Sequence, residues 1–176
     1  MSAVVLVTGV MAAGKSTVAQ ALAERLPRAA HVRGDVFRRM IVSGREEMVP
    51  GAGEGALAQL RLRYRLSAAT ADAYAAEGFT AVVQDVVLGP ELAAYTRLVR
   101  TRPFHVVVLA PRPDAVAARE AGRGKTGYGG GWTPEGMDRA MREETERIGL
   151  WLDTSELTVD ETVETILARL GEARIV

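Results

Sequence analysis

The sequence contains no cysteine, which excludes a disulfide framework, a thiolate nucleophile and a cysteine-ligated zinc site. It also has no excess of either charge, because its 22 basic and 22 acidic residues cancel. A neutral chain has no non-specific attraction to nucleic acid or to an anionic membrane surface. Lysine is nearly absent as well, since only Lys15 and Lys125 are lysines among the 22 basic residues. In such an arginine-rich chain a lysine indicates a position that needs a compact ammonium group.

Long apolar runs are also missing. The apolar start at residues 4–7 is too short to cross a membrane, and it has no basic segment before it of the kind that a signal peptide requires. We therefore expect a cytoplasmic protein with no membrane partner. The length of 176 residues predicts one domain that spans residues 1–176 and has a sizeable core.

What the sequence does contain is a glycine-rich turn between an apolar run and an amphipathic segment. Residues 9–17 match the pattern G-x-x-x-x-G-K-[ST] at every fixed position. The glycines allow backbone N–H groups to converge on phosphate oxygens, and the helix that follows directs its positive end at the same anion. The β-branched run at residues 3–8 and the helical pattern at residues 17–26 supply the strand and helix that the motif needs. The sequence therefore predicts a nucleotide-binding loop.

The residues predicted to bind the nucleotide share this loop: Gly9, Met11, Ala12, Ala13, Gly14, Lys15, Ser16 and Thr17. Lys15 is expected to place its charge on the β- and γ-phosphates. Ser16 is expected to offer its hydroxyl group to Mg²⁺.

Asp35 follows the second predicted strand, at residues 30–33. Ligands of open α/β folds lie beyond the carboxyl ends of the strands, so Asp35 is expected on the same rim as the phosphate-binding loop. There its carboxylate can accept a proton from an attacking hydroxyl group. Alternatively, Asp35 caps the helix that begins at Val36.

Asp85 lies near the end of the most strand-like run after the first one, residues 79–88. A carboxylate in a central strand needs a partner, and Mg²⁺-bound water or Ser16 would serve. Asp85 is therefore a predicted outer-shell ligand of Mg²⁺ and a predicted residue of the substrate site. The alternative is a structural aspartate that is hydrogen-bonded to backbone.

Between these two carboxylates the sequence predicts a glycine-rich connection at residues 43–55 and a long helix at residues 56–77. Arg61, Arg63 and Arg65 interrupt the apolar stripe of this helix. We expect at least two of them on a solvated face, while one can reach an anionic substrate or a phosphate.

A second glycine-rich stretch has glycine at positions 122, 124, 127, 129, 130 and 131. So many glycines predict a hinge or a flap rather than a regular element. Arg119, Arg123 and Lys125 lie before it or within it. Cations on a flap beside a triphosphate site predict a lid, at about residues 119–133, that closes over the transferring phosphoryl group. The alternative is a surface loop with incidental charge.

Strands and helices alternate along the whole chain, without an internal repeat or a second domain. This order predicts a three-layer α/β P-loop NTPase fold, in which helices cover both faces of a parallel sheet and a glycine-rich lid is attached. We expect five strands.

The chain resembles the small P-loop kinases of the nucleoside-monophosphate-kinase-like group. Within that group it is most similar to chloramphenicol phosphotransferase, and zeta toxins and polynucleotide kinases are more distant. The resemblance rests on residues 9–17, Asp35, residues 84–89 and the lid stretch at residues 119–125, and it covers nearly the whole chain.

This resemblance implies transfer of a phosphoryl group from ATP, with Mg²⁺, to a hydroxyl group. It implies that Asp35 orients and deprotonates the acceptor, and that the lid arginines Arg119 and Arg123 bind phosphates. The segment from Gly34 to Arg38 also resembles the Asp-x-x-Arg segment of polynucleotide 5′-kinases, which makes Arg38 a predicted substrate contact.

We therefore expect an ATP- and Mg²⁺-dependent phosphotransferase whose acceptor is a hydroxyl group of a small molecule, such as an antibiotic, a sugar or a nucleoside derivative. Lys15, Arg119, Arg123 and Lys125 would stabilise charge in the transition state, with Asp35 as general base. One alternative is a polynucleotide 5′-hydroxyl or nucleotide kinase, for which the neutral charge leaves only a terminal nucleotide as nucleic-acid partner. Another is a nucleotide-gated switch that hydrolyses ATP slowly, although a switch needs no base on the acceptor side.

Overall fold

A parallel sheet forms the centre of the fold, in a computed structural model that describes residues 2–124 and 128–176. Its five parallel strands are β1 (Ala3–Gly9), β2 (Ala29–Arg33), β3 (Thr80–Gln84), β4 (Phe104–Leu109) and β5 (Leu150–Leu152). They lie side by side in the order β2-β3-β1-β4-β5. The prediction of an α/β fold with five parallel strands is therefore confirmed.

The helices of the described residues are α1 (Lys15–Glu24), α2 (Gly34–Arg39), α3 (Glu54–Ala76), α4 (Pro90–Thr96), α5 (Pro113–Ala121), α6 (Pro134–Glu144) and α7 (Val159–Ala168). A 3₁₀ turn at Leu170–Ala173 leads into a short sixth strand, β6 (Arg174–Ile175), which pairs antiparallel with the start of β4. The sequence did not predict β6, because two residues carry too little pattern. Within residues 2–124 and 128–176, no helix combines the length and the apolar character that crossing a membrane requires.

The core lies on both faces of the central strands. Every residue of β1 and β4 is buried. Strands that are enclosed on both faces are mostly apolar on both faces, and Thr8 and His105 are the polar side chains of these two strands. Parallel pairing sets Val5 of β1 between Val82 of β3 and His105 of β4. The carboxyl ends of these strands therefore meet at one rim, where the connections to the helices begin.

The third strand is shorter than predicted, because β3 ends before Asp85 whereas the sequence predicts a strand to residue 88. Asp85 still donates its backbone N–H to the Val7 carbonyl at 3.4 Å, but the apolar residues that follow leave the ladder. The Thr8 hydroxyl accepts from the Val87 N–H and donates to the Val87 carbonyl, both at 2.9 Å. The Thr8 side chain thus supplies the hydrogen bonds that the backbone of β1 no longer supplies, because the chain turns here into the phosphate-binding loop.

Gly149 precedes β5 and packs against the backbone of β4. Its φ is +73°, and a Cβ there would overlap the carbonyl oxygen of Val106. Gly44 has a similar left-handed backbone, with φ +75°, but a Cβ at Gly44 has open space around it. The two glycines therefore separate the cost of backbone strain from the cost of close packing.

Gly149→Ala is expected to lower the free energy of unfolding by about 3 kcal/mol or more, because backbone strain and steric overlap act together. Gly44→Ala, the matched control, should lower it by about 1 kcal/mol, since backbone strain acts alone. Urea denaturation followed by circular dichroism measures both values. Equal losses in the two variants would contradict the close packing of Gly149 on β4.

Candidate active site

The phosphate-binding loop connects β1 to α1, and its backbone takes the left-handed conformations that glycine allows. Gly14, the N-cap of α1, has φ +87°. Gly9 has φ +150° and faces β4, where a Cβ would come 2.5 Å from the Leu109 carbonyl oxygen. Ala12 is also left-handed, with φ +62°, which a non-glycine residue adopts at an energetic cost. The motif accepts any residue type at this position, so the sequence carried no sign of the strain at Ala12.

Lys15 points into the loop. Its side chain is buried, and its ammonium group donates a hydrogen bond to the Val10 carbonyl at 2.6 Å. Burial lowers the pKa of Lys15 to about 8; the charge of Asp85 opposes this shift, whereas Arg123 and Arg63 add to it. A bound phosphate would restore the charge, because an anion favours the ammonium form.

Ser16 lies on the exposed side of α1, next to Lys15. Its hydroxyl donates to Oε1 of Gln84 at 3.3 Å rather than to Asp85, for which the sequence predicts either Ser16 or Mg²⁺-bound water as the partner. Mg²⁺ usually keeps several waters and takes one or two protein oxygens together with phosphate oxygens. An exposed hydroxyl beside the lysine of the loop fits that demand, although in the described part of the chain no group of three or more acidic or histidine side chains could hold a metal ion alone. Ser16 and Asp85 as magnesium ligands remain predictions.

Asp85 forms a buried ion pair with Arg63 of α3. The guanidinium donates from Nε to Oδ2 at 2.7 Å and from Nη2 to Oδ1, and the Val86 N–H donates to Oδ1 at 2.7 Å. The Asp85 side chain has no exposed surface, and that of Arg63 is 16% exposed. Burial raises the pKa of the Asp85 carboxyl, against the opposing effect of Arg63, the Val86 N–H and Lys15. In this structure Asp85 is therefore held by Arg63 rather than by Ser16.

Arg63 is the arginine of the long helix that turns inward. Arg61 pairs with Glu91 at the surface, at 2.8 Å, and more than half of its side chain is exposed. Arg65 is exposed as well. The prediction that at least two of these arginines are solvated is confirmed, and the anion that the third one reaches in this structure is Asp85.

Gly34 positions the second carboxylate of the site. It is the first residue of α2, and a Cβ on it would overlap the Asp85 carboxylate. The missing side chain lets α2 lie directly against Asp85. This contact places Asp35, the next residue of α2, on the same rim as Asp85 and Lys15.

Asp35 lies in the first turn of α2, between two arginines. Its Oδ1 accepts from Nε of Arg38 at 3.0 Å, and its Oδ2 lies 2.9 Å from Nε of Arg39. Desolvation raises the pKa of Asp35, but the hydrogen bond from Arg38 and the charges of Arg38, Arg63 and Arg39 outweigh it and hold this pKa below its usual value. The N-cap of α2 is Arg33, so the alternative prediction that Asp35 caps this helix is wrong.

Arg38 also binds Glu47, in the connection between α2 and α3. Its Nη1 donates to both carboxylate oxygens of Glu47, at 2.6 and 2.7 Å. Arg45 contacts the same carboxylate, with Nε 3.2 Å from Oε1. The sequence analysis missed Glu47, because one acidic residue in a glycine-rich connection carries no periodic signal.

A pocket of about 160 Å³, which we call the acceptor-side pocket, opens between α2, α3 and residues 40–48. Its apolar lining includes Phe37, Met40, Ile41, Met48, Leu60 and Leu66. Arg38 and Arg63 also line it, so the pocket reaches the ion pairs of Asp35 and Asp85. A molecule in this pocket would therefore contact the arginines that bind the two carboxylates of the site.

The described part of the lid stretch lies against the phosphate-binding loop. Arg119 of α5 donates to the Thr154 carbonyl at 2.6 Å and to the Ala13 carbonyl at 3.5 Å. Tyr128 donates its hydroxyl proton to the Met11 carbonyl at 2.7 Å. The sequence analysis missed Tyr128, since its partner lies far away along the chain.

The lid stretch also contacts the acceptor side. Trp132 donates from Nε1 to the Met48 carbonyl at 3.1 Å, and Met48 lines the acceptor-side pocket. Arg123 is about half exposed, and Lys125 lies outside the described residues. The roles of Arg119, Arg123 and Lys125 as phosphate ligands stay predictions.

A family model described as an AAA domain matches residues 4–148 of the chain. The match includes the phosphate-binding loop, Asp35, Asp85 and the lid stretch. A search of curated proteins found no match for the sequence.

Solved structures with the same fold include two proteins that are named as kinases and one that is named as a resistance protein. A sugar kinase from Janibacter sp. HTCC2649 has a TM-score of 0.69 at 19% identity, over 98% of this chain and 96% of that one. The tunicamycin resistance protein of Deinococcus radiodurans has a TM-score of 0.69 at 18% identity, over 100% and 99%. A gluconokinase from Sinorhizobium meliloti 1021 has a TM-score of 0.62 at 19% identity, over 96% and 91%. At these identities the similarity shows a shared P-loop kinase fold.

Arg63→Met is expected to lower the free energy of unfolding by about 3 kcal/mol or more, because it leaves the Asp85 carboxylate buried without its partner. Arg61→Met, which breaks the surface pair with Glu91 on the same helix, should change stability little. Chemical denaturation of both variants provides the comparison. If the two variants are equally stable, Asp85 does not depend on Arg63.

Nucleotide binding is expected to take up protons near pH 8. Burial lowers the pKa of Lys15 to about 8, so the neutral form is substantially populated there, and phosphate oxygens raise the pKa again on binding. Affinity for MgADP should therefore fall by up to about tenfold per pH unit above pH 8. Calorimetry in buffers of different ionisation enthalpy measures the uptake. Lys15→Arg keeps its charge and should show none; unchanged uptake in this variant would assign the proton to another group.

Proposed function

Because the chain belongs to the AAA domain family that matches residues 4–148, we propose that it is a phosphotransferase, which moves the γ-phosphate of ATP to a hydroxyl group of a small molecule. The observation that carries this proposal is the common rim of Lys15, Asp35 and Asp85, with a pocket that is lined by the arginines bound to the two carboxylates. The kinase fold shared with the sugar kinase and the gluconokinase supports it.

The phosphate-binding loop would hold the β- and γ-phosphates of ATP. Backbone N–H groups of residues 9–17 and the ammonium group of Lys15 would contact the phosphate oxygens. Ser16 would bind Mg²⁺, with Asp85 in its outer shell. Bound Mg²⁺ would supply positive charge that neutralises the β- and γ-oxygens.

Asp35 would orient the acceptor hydroxyl group and receive its proton. The hydroxyl oxygen forms a bond to the γ-phosphorus, the bond from that phosphorus to the β,γ-bridging oxygen breaks, and ADP leaves. The lowered pKa of Asp35 makes it a weak base, so it would take the proton late, when the bond to phosphorus has made the hydroxyl group acidic. Arg38 and Arg39 hold the carboxylate in place meanwhile.

The lid cations Arg119, Arg123 and Lys125 would neutralise charge on the transferring group. Arg119 is bonded to backbone carbonyls on the nucleotide side, so it would also keep the phosphate-binding loop in position. The Tyr128 hydroxyl covers this loop at Met11. A lid closed in this way would limit the access of water, which would otherwise compete with the acceptor for ATP.

A second candidate function is a polynucleotide 5′-hydroxyl or nucleotide kinase. The hydrogen bond from Arg38 to Asp35 occurs in the Asp-x-x-Arg segment that resembles polynucleotide 5′-kinases, and this observation favours it. A short RNA with a 5′-hydroxyl end would then be phosphorylated in preference to small acceptors. A nucleotide-gated switch would give Asp35 no role, because a switch needs no base on the acceptor side.

Asp35→Asn is expected to reduce acceptor-dependent ADP release at least about 100-fold, because the amide cannot take the hydroxyl proton. Binding of MgADP should stay close to that of the wild type, since Asp35 lies on the acceptor side. Asp114→Asn, which changes an exposed carboxylate of α5, is the matched control. The acceptors are pools of phenicols, aminoglycosides, sugars, nucleosides and a 5′-hydroxyl RNA. Lys15→Ala is the negative control for ADP release.

ADP release that is stimulated by one pool and is absent in Lys15→Ala would identify the acceptor class. Full activity of Asp35→Asn with that pool would remove Asp35 as the base. ADP release that no pool alters would favour the switch.

A further inference from the structure

The two cations that line the acceptor-side pocket both face carboxylates of the chain itself. Arg38 binds Asp35 through Nε and Glu47 through Nη1, the latter at 2.6 and 2.7 Å. Arg63 binds Asp85 through two nitrogens. Each guanidinium group therefore already has the kind of partner that an anionic acceptor would offer.

The rest of the lining is mostly apolar, and the apolar surface continues to the mouth of the pocket. Phe37 and Leu60 line the pocket, and of the lining residues Met40 is 64% exposed and Leu66 is 41% exposed. An anion that enters such a pocket loses its hydration and needs an unpaired cation in return. An uncharged molecule with an apolar body needs none.

We propose, building on the kinase function proposed above, that the acceptor is an uncharged hydroxyl compound with an apolar body, and that Glu47 excludes anionic acceptors by occupying Arg38. The apolar body lies in the acceptor-side pocket, and the hydroxyl group contacts Asp35 at the wall of the pocket that Arg38 forms. Phosphorylated and carboxylated acceptors are disfavoured, because they must displace the Glu47 carboxylate from Arg38 and are repelled by it.

Glu47 can be changed without disturbing the fold. Its side chain is 54% exposed, whereas the Asp85 carboxylate that occupies Arg63 is fully buried. Glu47→Gln removes the charge that covers Nη1 of Arg38 and leaves no buried charge unpaired. Nη1 of Arg38 then no longer has a carboxylate partner and can bind an anion.

Glu46 offers a matched control for Glu47. It lines the acceptor-side pocket, whereas Glu47 reaches the pocket through Arg38, and the Glu46 carboxylate lies against Gly55 at the start of α3. Arg38 pairs with Asp35 and Glu47 rather than with Glu46. Glu46→Gln therefore removes one negative charge from the pocket lining and leaves Arg38 bound to Glu47.

Two fluorescent probes with one apolar body separate charge from shape. N-phenyl-1-naphthylamine is neutral, and 8-anilinonaphthalene-1-sulfonate carries a sulfonate group. Each is titrated, without nucleotide, into the wild type, Glu47→Gln, Glu46→Gln and Leu66→Gln, after circular dichroism has shown that all are folded. Leu66→Gln places an amide in the pocket wall and should weaken binding of both probes.

We expect the wild type to bind the neutral probe at least about tenfold more tightly than the anionic one. Glu47→Gln should gain about tenfold in affinity for the anionic probe and keep its affinity for the neutral one, whereas Glu46→Gln should gain about twofold at most. If Glu47→Gln and Glu46→Gln gain equally in affinity for the anionic probe, then net charge excludes anions, and the specific role of Glu47 is overturned.

Tighter binding of the anionic probe by the wild type, binding of neither probe, or indifference of both to Leu66→Gln would overturn the proposed acceptor class. The titrations contain no nucleotide, so they test the binding specificity of the pocket independently of phosphoryl transfer. If the probes behave as expected while no acceptor pool stimulates ADP release, the failure belongs to the proposed kinase function alone.

Discussion

The ion pair between Asp85 and Arg63 is the contact on which the candidate site depends. A carboxylate without exposed surface requires a charged partner, and here the partner comes from α3, so this helix keeps one face against the end of β3. The same carboxylate leaves no room for a side chain at Gly34, and α2 therefore packs directly against it. One buried charge thus sets the positions of two helices and, through α2, of Asp35.

The nucleotide side and the acceptor side of the site differ in whether their cations already have an anionic partner. On the nucleotide side, Lys15 is buried with its pKa lowered to about 8, and the arrival of phosphate restores its full charge. On the acceptor side, Arg38 is shared between Asp35 and Glu47, so its charge is already matched. The lid stretch touches both sides, since Tyr128 bonds the phosphate-binding loop and a tryptophan of the same stretch bonds the backbone beside the acceptor-side pocket. The kinase for uncharged acceptors that we propose would need this division, because phosphate must be attracted to one side only.

The sequence predicts the fold class, the parallel sheet and the phosphate-binding loop, and it places Asp35 on the rim of that loop and Asp85 near the end of its strand. It extended β3 too far, because the apolar residues after Asp85 resemble a strand whether they pair with a neighbouring strand or, as here, with the Thr8 side chain. It assigned Asp85 a partner on the nucleotide side, because nothing in the run of residues 79–88 indicates that Arg63 will approach it.

By itself the sequence determined the phosphate side of this protein, because that side is built from consecutive residues. The spacing of residues 9–17 sets the backbone angles of the loop, and the apolar run before it sets the strand that delivers it. The tertiary structure alone decided the acceptor side, where Arg63 meets Asp85 across 22 positions of the chain and Trp132 meets Met48 across 84. Such partners are selected by how helices pack on the sheet, and no local pattern records that packing.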